Sequence, residues 1–234
     1  MNDFELSELE RLEKVHWWYK ARKYILSDWA KSLSPQARIL DLGSATGGNS
    51  FHLQNLGFQV TSVELSDYGY LRQKSKGLKV VKADACALPF NAEVFDAVIC
   101  LDLLEHVKKD YIVVDEIVRV AISGGKVLIS VPEDMKMWSE HDVVVSHFRR
   151  YSQKEIQNMC INGGIKVTDV WKSNVLLKPL VKLQRRNSKG SALKELSPLI
   201  NSLLYTFAIF EYRLFRKSGS GMTVWISGLV AKPE

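Results

Sequence analysis

Short runs of apolar residues, many of them β-branched, alternate along the chain with stretches in which apolar residues recur every three or four positions. Such runs are typical of strands buried on both faces of a sheet, and the longer period is typical of amphipathic helices. The alternation predicts a doubly wound α/β fold that contains five parallel strands. The predicted strands are Ala37–Leu42, Phe58–Val63, Leu78–Lys82, Phe95–Leu101 and Gly125–Val131, and the helices between them are Gly48–Leu56, Asp67–Lys76 and Asp110–Ala121.

Further elements are predicted on both sides of this core. Ser152 and Glu155 have the spacing of a helix capping box, and two more strands are predicted at Ile165–Trp171 and Thr223–Val230. The segment from Phe4 to about Ser32 has helical spacing, as does the apolar stretch between residues 197 and 217. We therefore expect a helical cover over residues 1–34, a core formed by residues 35–172 and 218–234, and a helical lid inserted over residues 173–217.

Composition narrows the class of protein. A chain of 234 residues that is 46% hydrophobic and 25% charged can bury one sizeable core. Cys86, Cys100 and Cys160 form no CxxC pair, which argues against a disulfide framework or a zinc site and favours a reducing cytoplasm. The N-terminus is too acidic for a secretory signal, and no uncharged run reaches the roughly 18 residues that cross a bilayer. We expect a soluble cytoplasmic protein.

The formal net charge of +6 is unevenly placed. A run without acids carries Lys178, Lys182, Arg185, Arg186, Lys189 and Lys194. Such a run is usually a solvated surface, but it can also contact phosphates or an anionic membrane. Because it precedes the apolar helix, peripheral membrane contact through residues 178–215 is one expectation, and a lid that packs over the domain is the other.

A glycine turn follows the first predicted strand. The sequence Asp41-Leu42-Gly43-Ser44-Ala45-Thr46-Gly47-Gly48 opens a helix, where glycines let the backbone approach a ligand and the helix N-terminus offers free N–H groups. The spacing differs from the dinucleotide fingerprint G-x-G-x-x-G, and Asp41 would repel a pyrophosphate. A nicotinamide-dependent oxidoreductase is therefore disfavoured.

Acidic residues end three successive strands. Asp41 could meet an ammonium group, Glu64 could accept two hydrogen bonds from a ribose diol, and Asp84 follows the third strand. Each acid alone could simply cap the helix after it. Because the carboxyl ends of parallel strands meet at one edge of the sheet, the three together predict one ligand-binding crevice.

The ordered segments DLGSATG, VELS, ADACALPF and FDAVICLDLLEHV resemble the cofactor motifs of class I S-adenosylmethionine-dependent methyltransferases, over roughly residues 37–131. The resemblance implies a Rossmann-like, seven-stranded, mostly parallel sheet with an antiparallel last strand. It implies that S-adenosylmethionine is bound and S-adenosylhomocysteine is the product, with Asp41 near the methionine amino group, Glu64 at the ribose and Asp84 at the adenine. Ala45 stands where the family usually has a glycine. The remaining core positions expected at the cofactor are Gly43, Ser44, Gly47, Leu65, Ala85 and Leu101.

Two flanking segments extend the resemblance. His16-Trp17-Trp18-Tyr19 and Arg22 resemble an N-terminal helix that closes over the cofactor, with Tyr19 or Arg22 near its carboxylate. Past the fifth strand, the segment from residue 131 to residue 151 resembles an acceptor-binding region. Its expected substrate-binding residues are Trp138, Arg149, Arg150 and Tyr151.

Methyl transfer from a sulfonium requires no metal, and we expect none. If the acceptor is a hydroxyl, a histidine could remove its proton. The candidates are His147, His141 and His106, each of which could instead serve packing or hydrogen bonding. For Arg149 and Arg150 the alternative is a structural ion pair, expected for at least one of them.

We predict methyl transfer to a small-molecule, sugar or lipid-like acceptor at oxygen. One alternative is a non-catalytic S-adenosylmethionine-binding domain, and another is a nucleic-acid methyltransferase. No base-binding motif follows the fourth strand, where Leu101-Asp102-Leu103-Leu104 stands, so the sequence disfavours nucleic acid. It does not specify an oligomeric state.

Overall fold

The computed structural model describes residues 3–186, 196–217 and 219–232. Their centre is a seven-stranded sheet of order β3-β2-β1-β4-β5-β7-β6. Six strands are parallel and β7 is antiparallel to both of its neighbours, as predicted. The strands are β1 Arg38–Leu42, β2 Gln59–Glu64, β3 Val80–Lys82, β4 Phe95–Leu101, β5 Ala121–Pro132, β6 Ile165–Ser173 and β7 Thr223–Val230.

Helices cover both faces of the sheet. One buried core lies between the sheet and α5 and α7, and a second lies between the sheet and α2, α3 and α9. The central strand β1 is buried almost throughout because both of its faces are covered. The helices are α1 Asp3–Val15, α2 Trp17–Ala30, α3 Gly48–Asn55, α4 Asp67–Ser75, α5 Asp110–Val120, α6 Glu140–Val144, α7 Gln153–Asn162, α8 Lys178–Arg186 and α9 Pro198–Phe215.

The N-terminal cover differs from the single helix that its spacing predicts. The chain leaves the helical conformation at His16, where φ is −77° and ψ is 133°. The His16 ring nitrogen Nδ1 accepts the Trp18 backbone N–H at 3.3 Å and so caps α2. A polar side chain that can satisfy a free N–H makes a helix start possible here, and the cover becomes two helices, α1 and α2.

Most other predicted boundaries lie within one residue of the observed ones, and the starts of two strands differ by more. The third strand begins at Val80 rather than Leu78, and β5 already begins at Ala121, which had been assigned to the preceding helix. Ala121 pairs with Phe95, and the register shifts before the next pair, Ala97 with Lys126. The helical spacing of apolar residues thus includes Ala121, although this residue already pairs with β4 in the sheet.

The helix α9 packs on α2 and exposes its other face. Leu199, Leu203, Phe207, Phe210 and Leu214 are all exposed and lie three or four residues apart. In the described residues no helix is both long and apolar enough to cross a membrane. Of the basic run, Lys189 and Lys194 lie outside the described residues, and the proposed division into cover, core and lid stays a prediction.

Candidate functional site

The order of the strands reverses beside β1, so a crevice opens between the carboxyl ends of β1 and β4. The glycine turn lines its β1 side, where the backbone N–H groups of Gly43 and Ser44 both donate to the Val63 carbonyl. Gly43 has φ of +67° and lies so close to Leu103 that an added Cβ would be 2.7 Å from that side chain. Ala45 also has a positive φ, +48°, in the left-handed region. The alanine is thus accommodated where the usual glycine would be free of strain.

Asp41 and Glu64 lie in this crevice. Asp41 is buried and its Oδ2 accepts the Ser50 hydroxyl at 2.5 Å. Burial raises the pKa of Asp41 to about 7, and the nearby carboxylates of Glu13 and Glu64 add to the shift. The Glu64 carboxylate accepts the backbone N–H groups of Ala45 and Ser66, each at 2.8 Å, and so ties β2 to the glycine turn.

The other predicted cofactor residues differ in their exposure to solvent. Asp84 is exposed, and its Oδ1 accepts the Cys86 backbone N–H at 2.8 Å within a turn, since β4 and not a helix is the next element after β3. Ser44, Ala85 and Leu101 are buried, whereas Leu65 is 64% exposed. The cofactor roles of all of these residues stay predictions.

The cover contributes three polar side chains to the crevice. Glu13 of α1 lies over the first residue of α3, because an added Cβ on Gly48 would be 2.3 Å from its Oε2 atom. That oxygen also accepts the Thr46 hydroxyl at 3.2 Å, and burial raises the pKa of Glu13. Arg22 of α2 forms an ion pair with Asp102, and its guanidinium carbon lies 5.9 Å from the centre of the Tyr19 ring.

The ion pair of Asp102 with Arg22 leaves one buried donor of Arg22 without a partner among the described residues. Asp102 follows β4 in the left-handed region, with φ of +53°, and its Oδ1 accepts the Ser130 hydroxyl at 2.8 Å. The Nε atom of Arg22 is buried and has no hydrogen-bond partner among the described residues. An unpaired buried donor is costly, so a ligand with a carboxylate would be stabilised at this position.

Just beyond Asp102, three side chains converge. Glu105 and His106 lie in the 3₁₀ turn Leu104–His106 after β4, and His147 follows α6. One carboxylate oxygen and one ring nitrogen from each histidine all lie within 4.8 Å of one another. We call these residues the Glu105–His106–His147 cluster.

Burial shifts the pKa values of Glu105 and His106 toward their uncharged forms. Burial raises the pKa of Glu105 well above its usual range, and burial lowers the pKa of His106 to about 4. The Oε2 atom of Glu105 is buried without a hydrogen-bond partner in the described residues. His147 Nδ1 lies 2.9 Å from Asp142 Oδ1, and since a carboxylate only accepts, this nitrogen is the donor.

Interactions within the protein engage the predicted substrate-binding residues. Arg150 is 5% exposed and its Nε donates to Asp142 at 2.8 Å, so the expected structural ion pair is present. Arg149 Nη1 and the Tyr151 hydroxyl both donate to Asp110 Oδ2, at 2.9 and 2.6 Å.

Trp138 and His141 lie on either side of the start of α6. Trp138 is 36% exposed, and the centre of the His141 ring lies 6.4 Å from that of His147. The substrate-binding roles of Trp138, Arg149, Arg150 and Tyr151 stay predictions.

Four acids that shape the site were not predicted from the sequence as site residues. They are Glu13, Asp102, Glu105 and Asp142. Glu105 and Asp142 each stand beside a candidate histidine, in Glu105-His106 and in His141-Asp142, and this adjacency was the available signal.

Comparisons with known proteins agree with this architecture. Residues 40–129 match the family model described as a methyltransferase domain. A demethylmenaquinone methyltransferase of Clavibacter sepedonicus is 36% identical over 107 residues, which cover 42% of this chain and 43% of the relative. A protein of the same name from Streptomyces avermitilis is 34% identical over 98 residues, which cover 41% and 42%. The chain thus matches less than half the length of these relatives.

Solved structures share the fold over nearly the whole chain. The complex of the Haloferax volcanii Trm112 methyltransferase activator with a methyltransferase matches with a TM-score of 0.70 at 17% identity, covering 99% of this chain and 96% of the other. An S-adenosylmethionine-dependent methyltransferase from Thermotoga maritima matches with a TM-score of 0.66 at 19% identity, covering 97% and 96%. At this identity the matches show the fold.

Residues 40–129, which span β1 to β5, thus match a methyltransferase domain, and the whole sheet has the fold of these methyltransferase structures.

Proposed function

We propose that the protein binds S-adenosylmethionine in the crevice between β1 and β4 and transfers its methyl group to an oxygen atom of a small-molecule or lipid-like acceptor. The observation that carries the proposal is the unpaired, buried Nε atom of Arg22 opposite the glycine turn and Asp41. A guanidinium donor and a carboxylate acceptor suit the two charged ends of an amino acid. The residues present therefore fit the methionine part of the cofactor.

In this assignment three charged side chains of the protein would bind the polar groups of the cofactor. Arg22 would bind its carboxylate, Asp41 its ammonium group, and Glu64 its ribose hydroxyls. Each oxygen of Glu64 already accepts one backbone N–H, and a carboxylate oxygen can accept a second hydrogen bond. When bound, the cofactor supplies an electrophilic methyl group, and the residues around it orient the acceptor and exclude water.

The acceptor would meet the Glu105–His106–His147 cluster. Asp142 fixes the orientation of the His147 ring, and the neighbouring side chains are largely buried. Hydroxyl protons can be lost to such a group, and this supports oxygen as the accepting atom. The relatives' names indicate a quinone acceptor, which supports a small molecule with an apolar part.

The exposed apolar stripe of α9 supports a lipid-like acceptor in a second way. Leu199, Leu203, Phe207 and Leu214 face outward from a helix next to a basic segment, and Lys182 on α8 is exposed as well. Such a surface suits contact with an anionic membrane, from which a lipid-like acceptor could be drawn. A lid over the domain and a sugar acceptor are the alternatives that the same predictions allow.

The proposal is tested in two steps on the full chain. Calorimetry with S-adenosylhomocysteine and NADH should show binding of the first and no response to the second. Transfer of a labelled methyl group should then be measured with hydroxylated quinones, simple phenols and oligonucleotides. Binding of NADH alone would overturn the assignment, binding without transfer would favour the non-catalytic alternative, and NMR of a product would show whether oxygen or carbon is methylated.

A further inference from the structure

The atoms of the Glu105–His106–His147 cluster have the chemistry of metal ligands. Two imidazoles and one carboxylate are a frequent set of three protein ligands for a divalent cation that keeps a further position open. Here the three ligand atoms already lie within 4.8 Å of one another. The ligand atoms of a tetrahedral zinc site are about 3.4 Å apart. Side-chain rotations that move each ligand atom by about 1 Å would therefore bring the three atoms to these distances.

Neighbouring groups contact both histidines of the cluster. The Nδ1–H of His147 donates to Asp142, so the lone pair of a neutral His147 is on Nε2, which lies 3.8 Å from Glu105 Oε1. The centre of the His106 ring lies 4.7 Å from that of His147, and the backbone of Ser146 also interacts with the His106 ring. A ligating histidine typically gives its other nitrogen to a carboxylate or a backbone carbonyl, as His147 does.

The carboxylate provides an independent observation. Glu105 is 1% exposed, and its Oε2 atom has no hydrogen-bond partner among the described residues. A buried acceptor without a partner is costly, and a cation would satisfy it. The nearby carboxylate of Asp142 does not satisfy the Glu105 oxygen in place of a cation, and its own charge is offset by Arg150 at 2.8 Å.

We propose that Glu105, His106 and His147 bind one divalent first-row transition-metal cation, with an open position that takes the acceptor's hydroxyl oxygen. The site rests on the geometry of the cluster, and only the identity of its fourth ligand rests on the proposed function. The cation would lower the pKa of the bound hydroxyl, whose proton leaves to solvent. The oxygen would then form a bond to the methyl carbon as the bond between that carbon and the sulfonium sulfur breaks, and S-adenosylhomocysteine would leave. This proposal differs from our expectation from the sequence that no metal takes part.

The test uses the full chain after treatment with a chelator and dialysis. Co²⁺ is titrated by visible absorption and Zn²⁺ by calorimetry, both without cofactor or acceptor. We expect one equivalent of each ion to bind and Co²⁺ to give the absorption bands of low-coordinate nitrogen and oxygen ligation. Glu105→Gln and His147→Gln, which nearly preserve size, should each weaken binding by about 100-fold or more. Asp142→Asn should weaken it by about 10- to 100-fold by misorienting His147.

His52→Gln is the matched control, because His52 is paired with Ser27 and lies outside the cluster. It should bind both ions like the unaltered protein, and thermal unfolding should show that the cluster variants are folded. Absence of stoichiometric binding, or binding unchanged by both Glu105→Gln and His147→Gln, would overturn the metal site. Binding of S-adenosylhomocysteine in excess chelator tests the proposed function separately, so either idea can fail while the other stands.

Discussion

Arg22 on α2 pairs with Asp102 after β4, so one ion pair joins the N-terminal cover to the far side of the crevice. The Asp102 backbone is held in the left-handed region, where strain is typical of functional positions. Arg22 thus contacts a residue just after β4 through Nη2, while its Nε has no hydrogen-bond partner among the described residues. A ligand bound at Nε would therefore contact the same side chain that joins the cover to Asp102.

Arg22→Lys should weaken S-adenosylhomocysteine binding by about tenfold or more, because an ammonium group cannot serve Asp102 and a second carboxylate as a planar guanidinium can. Calorimetry measures the change. Lys31→Arg is a suitable control, since Lys31 is 74% exposed at the other end of α2. An affinity equal to that of the unaltered protein would place the methionine carboxylate elsewhere.

Glu64→Ala should weaken the same binding by about 1–3 kcal/mol if Glu64 accepts hydrogen bonds from the ribose. The variant also frees the backbone N–H groups of Ala45 and Ser66, so its folding must be compared by thermal unfolding. Glu93→Ala removes an acid that is 56% exposed and pairs with Lys232, and it should bind normally. Normal binding by a folded Glu64→Ala protein would remove Glu64 from the ribose site.

Cofactor binding should release protons near pH 6.5. Burial raises the pKa of Asp41 from 3.8 to about 7, so much of the free protein carries a proton on this carboxyl. An ammonium group beside it would favour the charged form, and the proton would leave. Calorimetry in two buffers of different ionisation enthalpy counts the protons, and Asp41→Asn should reduce the count. Identical counts in both proteins would refute the contact.

Asp41 also gives the stability of the protein a pH dependence. Since its folded pKa lies above its unfolded value, the carboxyl favours the folded state most below about pH 4, and this contribution is lost as the pH rises through 7. The full loss is of the order of 4 kcal/mol. Urea unfolding at pH 5.5 and 8 should show a smaller pH dependence for Asp41→Asn, and an unaltered dependence would assign the effect to other groups.

If His147 contacts the acceptor and not the cofactor, as we propose, His147→Ala should lower kcat/KM for the acceptor about tenfold or more and leave S-adenosylhomocysteine affinity unchanged. His52→Ala serves as the control in both assays. Arg149→Ala should also lower kcat/KM, with some loss of stability because it removes the ion pair with Asp110. If both folded variants lose cofactor binding as severely as Glu64→Ala, the segment belongs to the cofactor pocket.

The seven strands and the glycine turn could be predicted because they depend on local period and short motifs, and the antiparallel last strand was implied by the family resemblance. Asp41 and Glu64 were predicted for the same reason, since strands that end in acids place those acids at a common edge. Helix breaks such as the one at His16 depend on a single capping contact, which the apolar period does not reveal. The pairings of Arg22 with Asp102 and of His147 with Glu105 depend on tertiary contacts between distant segments, and spacing alone cannot supply them. The contact of His147 with Asp142 spans five residues, but it depends on the way the chain turns after α6.

The position of Glu13 over the start of α3 has a consequence for ligand binding. Its carboxyl group occupies a helix end that the anionic part of a bound molecule would also approach, so such a ligand would compete with Glu13 for this position. The same helix is tied to α4 by the hydrogen bond from Arg72 to Glu10 at 2.9 Å. A ligand that shifted α1 would therefore act on α4 as well.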